Sequence, residues 1–447
     1  MIKHRRLESV GTWSAALLLA ALSGAPLAAQ AVEAGRKALD LLLASRYSEF
    51  GELLSADAKE KLTPEFLRDR VGAEIKSFGK LEEVGQPVAE KSGSSDIVSF
   101  PVRFSSVKVS VQFTLNASGQ VAGLHFRPPD EPLPQVWNRP SYSKPELFSE
   151  REVTVGADEW KLPGTFTFPS GKGPFPAVVL VHGPGPNDRD ESIYTTRIFA
   201  DIAEGLASRG IAVLRYDKRT RVYGSEMSEI AFTLREETIE DAVRAIALAR
   251  RQPEVDPGRV FVLGHSLGGY AIPRIAREDG KLAGAVVLAG NARHLEDLAL
   301  AQTEFMLNAK GGASPDEQKR LELLKAEVAK VKSLVAGDDN PPTLAGLPTA
   351  YFLDLKGYDP AAEARRLAIP MLLLQGERDF QVTLEDFALW KTGLAGAKNI
   401  TFQTYPALNH LFIAGAGPPS PLEYRKAGNV APAVIEDVSA WIAAQKR

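Results

Sequence analysis

The spacing of hydrophobic residues changes near residue 130, and this change predicts two domains. Between residues 32 and 128, apolar residues first recur at helical spacing and then alternate with polar ones, as in 107–115. Residues 116–119 predict a hairpin turn into a second strand at 121–126. Helices followed by an antiparallel meander predict a small α+β domain in this part of the chain.

From residue 148 onward, short apolar runs alternate with helical stretches such as Ile198–Ala207 and 239–250. This alternation predicts an α/β domain over 148–447 with a doubly wound, mostly parallel sheet. A hairpin-like pattern over 153–167 predicts an antiparallel edge. The runs are almost purely apolar, which is typical of parallel strands buried on both faces, and they lie at 177–181, 211–214, 260–263, 283–288 and 371–374.

Two segments interrupt these patterns. Six prolines between residues 128 and 145 predict an extended linker over 129–147. Residues 293–366 contain helical runs such as 316–335 but no strand pattern, and they separate two predicted strands. An insertion of this size predicts a helical cap over the C-terminal edge of the sheet, where open α/β sheets bind ligands.

Composition and charge exclude several classes of function. The 447 residues carry a net charge of −3, which gives no electrostatic reason to expect nucleic acid or an anionic membrane as a partner. The chain has no cysteine, so disulfides, thiolate metal sites, a cysteine nucleophile and a lipoprotein anchor are excluded. No spacing of His, Asp and Glu predicts a metal site. The isolated His125 is interpreted as a surface or packing residue.

The first 31 residues have the layout of a secretory signal peptide. Lys3, Arg5 and Arg6 form a basic start, an apolar run follows over 13–22, and small residues at 29–31 offer a cleavage point. The apolar run is too short to span a bilayer comfortably. We therefore expect an exported protein, periplasmic or secreted, without a stable membrane anchor.

The pentapeptide Gly264-His265-Ser266-Leu267-Gly268 is the strongest candidate for chemistry. A predicted strand at 260–263 precedes it, and a helical pattern beginning near Tyr270 follows it. This strand–turn–helix context is that of a nucleophile elbow, in which small residues flank a strained serine. The sequence therefore predicts Ser266 as a nucleophile at a helix N-terminus.

A serine hydroxyl needs a base to take its proton and an acid to orient that base. His410 follows a strand-like run at 400–405 and precedes the last helix, which is the position of the base in the chain order Ser, Asp, His. Asp379 lies just past the strand at 371–374 and is preferred as the acid over Glu377. His265 is expected to point away from the serine hydroxyl.

An oxyanion hole needs two backbone N–H groups. Leu267, which follows the serine, is predicted to supply one. The loop His182-Gly183-Pro184-Gly185-Pro186 is predicted to supply the other, but Pro184 has no N–H to donate. Gly185 and Gly183 remain as the alternatives, with Gly185 preferred.

The segments 182–191, 215–219 and 264–268 together resemble bacterial esterases of the EstD type, over a stretch from about residue 150 to the C-terminus. They are similar, more distantly, to the prolyl-oligopeptidase and serine-aminopeptidase branches of the same superfamily. The resemblance implies an α/β-hydrolase fold and hydrolysis of a small carboxylic ester by Ser266, Asp379 and His410 without a cofactor. Pro184 departs from the serine expected at its position.

Residues 32–128 resemble, in their order of elements, the small domain similar to nuclear transport factor two (NTF2-like) that precedes some bacterial secreted hydrolases. Two other functions stay open at this point. The same triad could serve a peptidase, or the N-terminal domain could bind an envelope lipid or glycan beside an inactive hydrolase.

Charged residues cluster at two adjacent predicted strand ends. We interpret them as an ion-pair network that pins two loops together, in preference to a substrate pocket. The cluster consists of Asp188, Arg189, Asp190, Glu191, Asp217, Lys218 and Arg219.

Overall fold

The computed structural model describes residues 24–92, 95–127, 137–156, 159–309, 311–338 and 342–445. The chain divides into two compact units, Met1–Val136 and Trp137–Arg447, and the division lies within the predicted linker. Most of the predicted signal peptide lies outside the described residues. Helix α1 (Gly24–Leu43) begins before the predicted cleavage point at 29–31 and continues through it, and export stays a prediction. None of the helices in the described ranges is long and apolar enough to cross a membrane.

The first unit consists of one 20-residue helix and several short helices, followed by an antiparallel sheet, in the order that the sequence predicted. After α1 the helices are α2 (Tyr47–Glu52), α3 (Ala56–Lys61), α4 (Pro64–Phe66) and α5 (Gly72–Ser77), with a π-helical turn at Leu67–Val71 between the last two. The strands are β1 (Leu81–Val84), β2 (Val88–Ser92), β3 (Ser95–Phe104), β4 (Lys108–Leu115) and β5 (Val121–Arg127).

The sheet of the first unit has the order β1-β3-β4-β5, with β2 also paired to β3. The predicted turn forms because Asn116 Oδ1 accepts the N–H groups of Ser118 and Gln120, at 3.0 and 2.9 Å. Buried aromatic residues such as Phe50, Phe100 and Phe113 fill the space between helices and sheet. His125 is exposed on β5, opposite Gln112 in the register. The resemblance of this unit to the nuclear transport factor two fold stays a prediction.

The second unit is built around an eight-stranded sheet of order β15-β14-β13-β12-β8-β11-β7-β6. The first two strands along the chain form the predicted antiparallel edge, and the other six run parallel. The strands are β6 (Phe148–Val155), β7 (Leu162–Pro169), β8 (Phe175–Val181), β11 (Ala212–Tyr216), β12 (Val255–His265), β13 (Gly284–Leu288), β14 (Met371–Gly376) and β15 (Ile400–Tyr405), and a separate two-stranded ribbon is formed by β9 (Ser192–Ile193) and β10 (Thr196–Arg197).

Helices cover both faces of this sheet, so its central strands are apolar on both sides. Val179 of β8 faces one core, with the helices α9, α10 and α15, whereas Val178 faces the other, with α6 and α16. The helices of the unit are α6 (Ile198–Ala207), α7 (Arg219–Val222), α8 (Gly224–Ser228), α9 (Glu240–Arg250), α10 (Leu267–Asp279), α11 (Leu295–Ala309), α12 (Pro315–Ser333), α13 (Thr349–Leu355), α14 (Pro360–Ala364), α15 (Leu384–Gly393) and α16 (Pro432–Ala444).

The predicted cap, 293–366, is helical in its described part and contributes α11 to α14 between β13 and β14. The second half of the predicted linker is not a free spacer. Trp137 Nε1 donates to Asp201 at 2.9 Å, and Tyr142 donates to the carbonyl of Val430 at 2.8 Å. Because these side chains find partners on the second unit, residues 137–147 belong to that unit.

Candidate active site

Ser266 stands at the turn between β12 and α10, where its backbone has φ 54° and ψ −119°. Residues other than glycine adopt positive φ at an energetic cost, which is typical of a nucleophile elbow. The N–H of Ser266 donates to the carbonyl of Leu288 on β13 at 2.9 Å, which fixes the turn to the sheet. The elbow predicted from the pentapeptide is therefore present in the backbone.

Glycines make this turn possible because strand and helix approach too closely for side chains. A Cβ atom on Gly264 would overlap the backbone of Gly268, and one on Gly268 would overlap the carbonyl of Val181. A Cβ atom on Gly269 would lie 2.8 Å from the Cα of Gly290. The first two positions are the outer glycines of the motif, and the third lets α10 pack against the end of β13.

The structure brings Asp379 and His410 together in the way the chain order predicts. Asp379 Oδ2 lies 2.6 Å from His410 Nδ1, and both residues are buried, with 5% and 3% of their surface exposed. The other oxygen, Oδ1, accepts the backbone N–H groups of Gln381 and Val382 at 2.8 and 2.9 Å. These bonds fix the carboxylate, which in turn fixes the imidazole, and Nε2 of His410 has no hydrogen-bond partner among the described residues.

Glu377, the alternative acid, contacts strand β15 instead of His410. Its side chain is exposed and accepts a hydrogen bond from Thr404 Oγ1 at 2.8 Å. Gly376, between strand and turn, lets the histidine loop pass, since a Cβ there would lie 2.5 Å from the carbonyl oxygen of Leu408. Asp379 is therefore the only one of the two candidate acids that contacts His410.

The neighbour of the serine, His265, contacts the histidine loop directly. Its Nε2 lies 3.0 Å from the carbonyl oxygen of His410, and the two ring centroids are 4.7 Å apart. The elbow and the His410 loop are thus adjacent. The Ser266 hydroxyl forms no hydrogen bond within the described residues. This is compatible with a catalytic role, because catalytic hydrogen bonds in unliganded sites are often long and shorten when substrate binds.

In the loop after β8, the backbone N–H groups of Gly183 and Gly185 differ in whether they already have an acceptor. The N–H of Gly183 donates to Glu191 Oε1 at 2.6 Å, so it is already occupied. Pro184 has none, and the N–H of Gly185 donates to no group among the described residues. A Cβ on Gly183 would lie 3.8 Å from Ser266 Oγ, which places this loop beside the serine. Of the two predicted alternatives, the structure leaves Gly185 available.

Glu191 is a buried residue that sequence reasoning placed only in the charged cluster. Besides Gly183, its Oε1 lies 3.2 Å from His265 Nδ1, and its backbone has φ 47°. Burial lowers the pKa of His265, but the Glu191 carboxylate, the His410 carbonyl and the charge of Asp379 together outweigh burial and the pKa is raised. Burial raises the pKa of Glu191, but the contacts with His265, His182 and the Gly183 N–H together outweigh burial and the pKa is lowered. The two therefore form a charged pair.

The charged cluster contains the predicted bond between its two loops. The backbone N–H of Arg189 donates to Asp217 Oδ1 at 2.8 Å, and its guanidinium donates to Oδ2 at 3.2 Å. Lys218 and Arg219 instead pair with acids outside the cluster, Glu237 and Asp241. The predicted ion pair between the two loops is therefore present as Arg189–Asp217, whereas Lys218 and Arg219 bind acids that the sequence did not predict.

His182 is buried at the end of β8 between the rings of Phe199 and Tyr216. Burial lowers its pKa to about 4, so it is neutral near pH 7. His294 is half-buried at the start of the predicted cap, and its backbone carbonyl accepts the N–H of Leu298. Neither residue has the carboxylate contact that orients His410.

The cap contacts the acid loop through aromatic rings. Phe305 of α11 stacks on Phe380, the neighbour of Asp379, with ring centroids 4.7 Å apart and planes at 10°. Phe380 stacks in turn on Tyr424, at 5.5 Å. Gln302 Nε2 adds a hydrogen bond to the carbonyl of Gln381 at 3.1 Å. The first cap helix is therefore attached to the loop that carries the acid.

Comparison with solved structures finds Est1E from Butyrivibrio proteoclasticus, 18% identical, covering 66% of this chain and 98% of that one with a TM-score of 0.42. A puromycin-hydrolyzing peptidase of Mycobacterium tuberculosis, also 18% identical, covers 80% of this chain and 46% of its own, with a TM-score of 0.45.

Comparison with known sequences gives a more specific result. Esterase EstD from Thermotoga maritima is 41% identical over 349 residues, which span 78% of this chain and 79% of the relative. The alpha/beta hydrolase family matches residues 178–423, more than half of the chain. The sheet order and the elbow agree with this match. The chain belongs to the alpha/beta hydrolase family and is a carboxylesterase-type member of it.

Proposed function

We propose that the protein hydrolyses carboxylic esters of small molecules by two-step acyl transfer, with Ser266 as nucleophile, His410 as base and Asp379 as the acid that orients it. The observation that carries this proposal is the 2.6 Å contact between His410 Nδ1 and Asp379 Oδ2, in a loop that touches the strained elbow. The identity to Esterase EstD supports the choice of an ester as substrate.

In the first step, His410 Nε2 takes the proton of the Ser266 hydroxyl as Oγ attacks the ester carbonyl carbon. The tetrahedral oxyanion accepts hydrogen bonds from the N–H groups of Leu267 and Gly185. The bond to the alcohol oxygen breaks, His410 returns its proton to that oxygen, and the acyl group remains on Ser266. In the second step, water replaces the alcohol, the acid leaves and the free serine is restored.

Local electrostatics support these roles. Because Asp379 accepts hydrogen bonds only, Nδ1 of His410 carries the proton and Nε2 is left unprotonated as a base. Ser266 precedes α10, whose N-terminal amides and dipole stabilise developing negative charge. Asp379 stabilises the imidazolium that forms during each step without becoming protonated.

The test is Ser266→Ala, assayed on p-nitrophenyl acetate and butyrate. We expect loss of turnover in a folded protein, and loss of labelling by a fluorophosphonate probe, with the wild type labelled at Ser266 in a peptide map. Thr404→Ala, which changes a half-buried hydroxyl near Glu377, is the control and keeps its labelling. Retained esterase activity in Ser266→Ala contradicts the proposal. Faster cleavage of aminoacyl amides than of esters by the wild type contradicts the assignment of esters as substrates.

A further inference from the structure

The two peptide groups that flank Gly183, in the loop beside Ser266, are each held by a buried side chain, and the two side chains have opposite charge. Glu191 Oε1 accepts the N–H of Gly183 at 2.6 Å, and Lys218 Nζ donates to the carbonyl of Gly183 at 2.7 Å. Both side chains are about 3% exposed. The carboxylate accepts from the His182–Gly183 peptide and the ammonium donates to the Gly183–Pro184 peptide, so the orientation of the backbone is fixed on both sides of Gly183.

The same carboxylate reaches the histidine loop through His265. Oε1 lies 3.2 Å from His265 Nδ1, and His265 Nε2 lies 3.0 Å from the carbonyl oxygen of His410. Because a carbonyl oxygen only accepts, Nε2 of His265 donates to His410, and Nδ1 lies at ion-pair distance from the Glu191 carboxylate. Glu191 thus contacts the loop that holds Gly185 and, through one ring, the backbone that carries the base.

The backbone of Glu191 indicates that this placement costs free energy. Its φ of 47° lies in the left-handed region, which residues other than glycine and asparagine rarely occupy. Such strain persists only where surrounding contacts enforce it. The absence of a side chain at Gly183 leaves room for this carboxylate, since a Cβ would lie 2.9 Å from Glu191 Oε1.

We propose that Glu191 is a positioning residue for ester hydrolysis, which orders the Gly183–Gly185 segment of the oxyanion hole directly and the His410 backbone through His265. This inference rests on the proposed function of Ser266, Asp379 and His410. Glu191 acts before the reaction, by keeping the Gly185 N–H in place as charge develops on the substrate oxygen. Preorganised donors of this kind act mainly on the transition state, so kcat depends on Glu191 more than KM does.

The test compares Glu191→Ala and Glu191→Gln with the wild type. Alanine removes both contacts, whereas glutamine keeps an oxygen that can accept the Gly183 N–H but loses the charge that pairs with His265. We expect kcat for p-nitrophenyl butyrate to fall about 100-fold to 1,000-fold in Glu191→Ala, the range for loss of an oxyanion donor, and about 10-fold in Glu191→Gln. KM should stay within about threefold in both variants.

A second readout is the inhibition constant of an aliphatic trifluoromethyl ketone, which forms a tetrahedral anion on the serine. This constant would not change if Glu191 only stabilised the fold. The inhibition constant should rise by the same factor as kcat falls, because the anion uses the same amides. The matched control is Asp279→Asn, a buried carboxylate that also accepts a backbone N–H and pairs with a cation, Arg250. It lies at the far end of α10, about 20 Å from Ser266 at 1.5 Å per residue.

Several outcomes overturn the inference. The first is a folded Glu191→Ala variant whose kcat and inhibition constant stay within threefold of the wild-type values. The second is a Glu191 variant in which only KM changes. The third is a loss of kcat in Asp279→Asn as large as the loss in Glu191→Ala. If Glu191→Ala does not fold, Glu191→Gln decides, and an unchanged kcat in that variant overturns the inference. If Ser266→Ala retains activity, the proposed function itself fails. If Ser266→Ala is inactive while the Glu191 variants keep full kcat, only this inference fails.

Discussion

The Nδ1 atom of His410 lies 2.6 Å from Oδ2 of Asp379, and this contact selects one acid from two that are close in sequence. Asp379→Asn keeps the shape of the side chain but favours the wrong tautomer of the histidine, so we expect kcat for short esters to fall about 10,000-fold. Glu377→Gln, which changes only an exposed hydrogen bond to Thr404, should keep kcat within about twofold. The reverse result would assign the acid to Glu377.

Gly183 is predicted to be sensitive to the smallest possible side chain. In Gly183→Ala the new methyl would lie 2.9 Å from Glu191 Oε1 and 3.4 Å from Ser266 Cβ, so the Glu191 carboxylate or the loop itself must shift. We expect kcat to fall more than 10-fold while the protein stays folded. Gly258→Ala, whose Cβ meets nothing closer than 3.5 Å, is the control. Wild-type kcat in Gly183→Ala would show that this loop does not contribute to the transition state.

Gly264→Ala tests the close approach of strand and helix at the elbow. Its Cβ would overlap the backbone of Gly268, which is not a flexible group that can move aside. We expect the free energy of unfolding to fall by about 3 kcal/mol or more, measured by urea titration. Gly224→Ala, with open space around its Cβ, should change it by less than about 1 kcal/mol. A similar small change in Gly264→Ala would contradict the packing described for the elbow.

The Glu191–His265 pair should make stability depend on pH. The pKa of His265 is raised, so its contribution is complete below the ordinary value of 6.5 and is lost as the pH rises through the folded value. The pKa of Glu191 is lowered, so its contribution is complete above the ordinary value of 4.5 and is lost as the pH falls through the folded value.

The wild type should therefore exceed His265→Gln in unfolding free energy most clearly between about pH 4.5 and pH 6.5. Urea titrations at pH 5.5, 7.0 and 8.5 measure the difference, which should shrink as the pH rises. A difference that grows between pH 5.5 and pH 8.5 would mean that His265 is neutral in the folded protein.

Tyr351 joins the cap to the charged network beneath it. Its hydroxyl donates to Glu237 Oε2 at 2.5 Å, and Glu237 Oε1 accepts from Lys218 at 2.6 Å, all three residues being buried. Tyr351→Phe leaves a buried carboxylate oxygen without its partner, and we expect a loss of about 1 to 3 kcal/mol in unfolding free energy. Tyr194→Phe, at an exposed position, serves as the control and should have no measurable effect.

The sequence determined the fold class and most of the candidate site, because both depend on local patterns. Apolar runs predicted the parallel strands, which are buried on both faces. The helical segments between successive runs predicted the helices that connect one parallel strand to the next. The elbow follows from a serine between glycines after a strand and before a helix. Asp379 and His410 could be found because the carboxyl ends of parallel strands meet at one edge, so chain order sets spatial order.

Tertiary structure alone decided what depends on contacts between distant segments. Nothing in the pattern around Glu191 distinguishes it from its charged neighbours Asp188 and Asp190, yet only Glu191 turns inward, at positive φ, to meet Gly183 and His265. The sequence already preferred Asp379 over Glu377 and Gly185 over Gly183, but the contacts behind these preferences, from Asp379 to His410 and from the Gly183 N–H to Glu191, appear only in the tertiary structure. Periodicity records which residues are buried, whereas the partner of a buried charge is set by the packing of segments that are far apart in the chain.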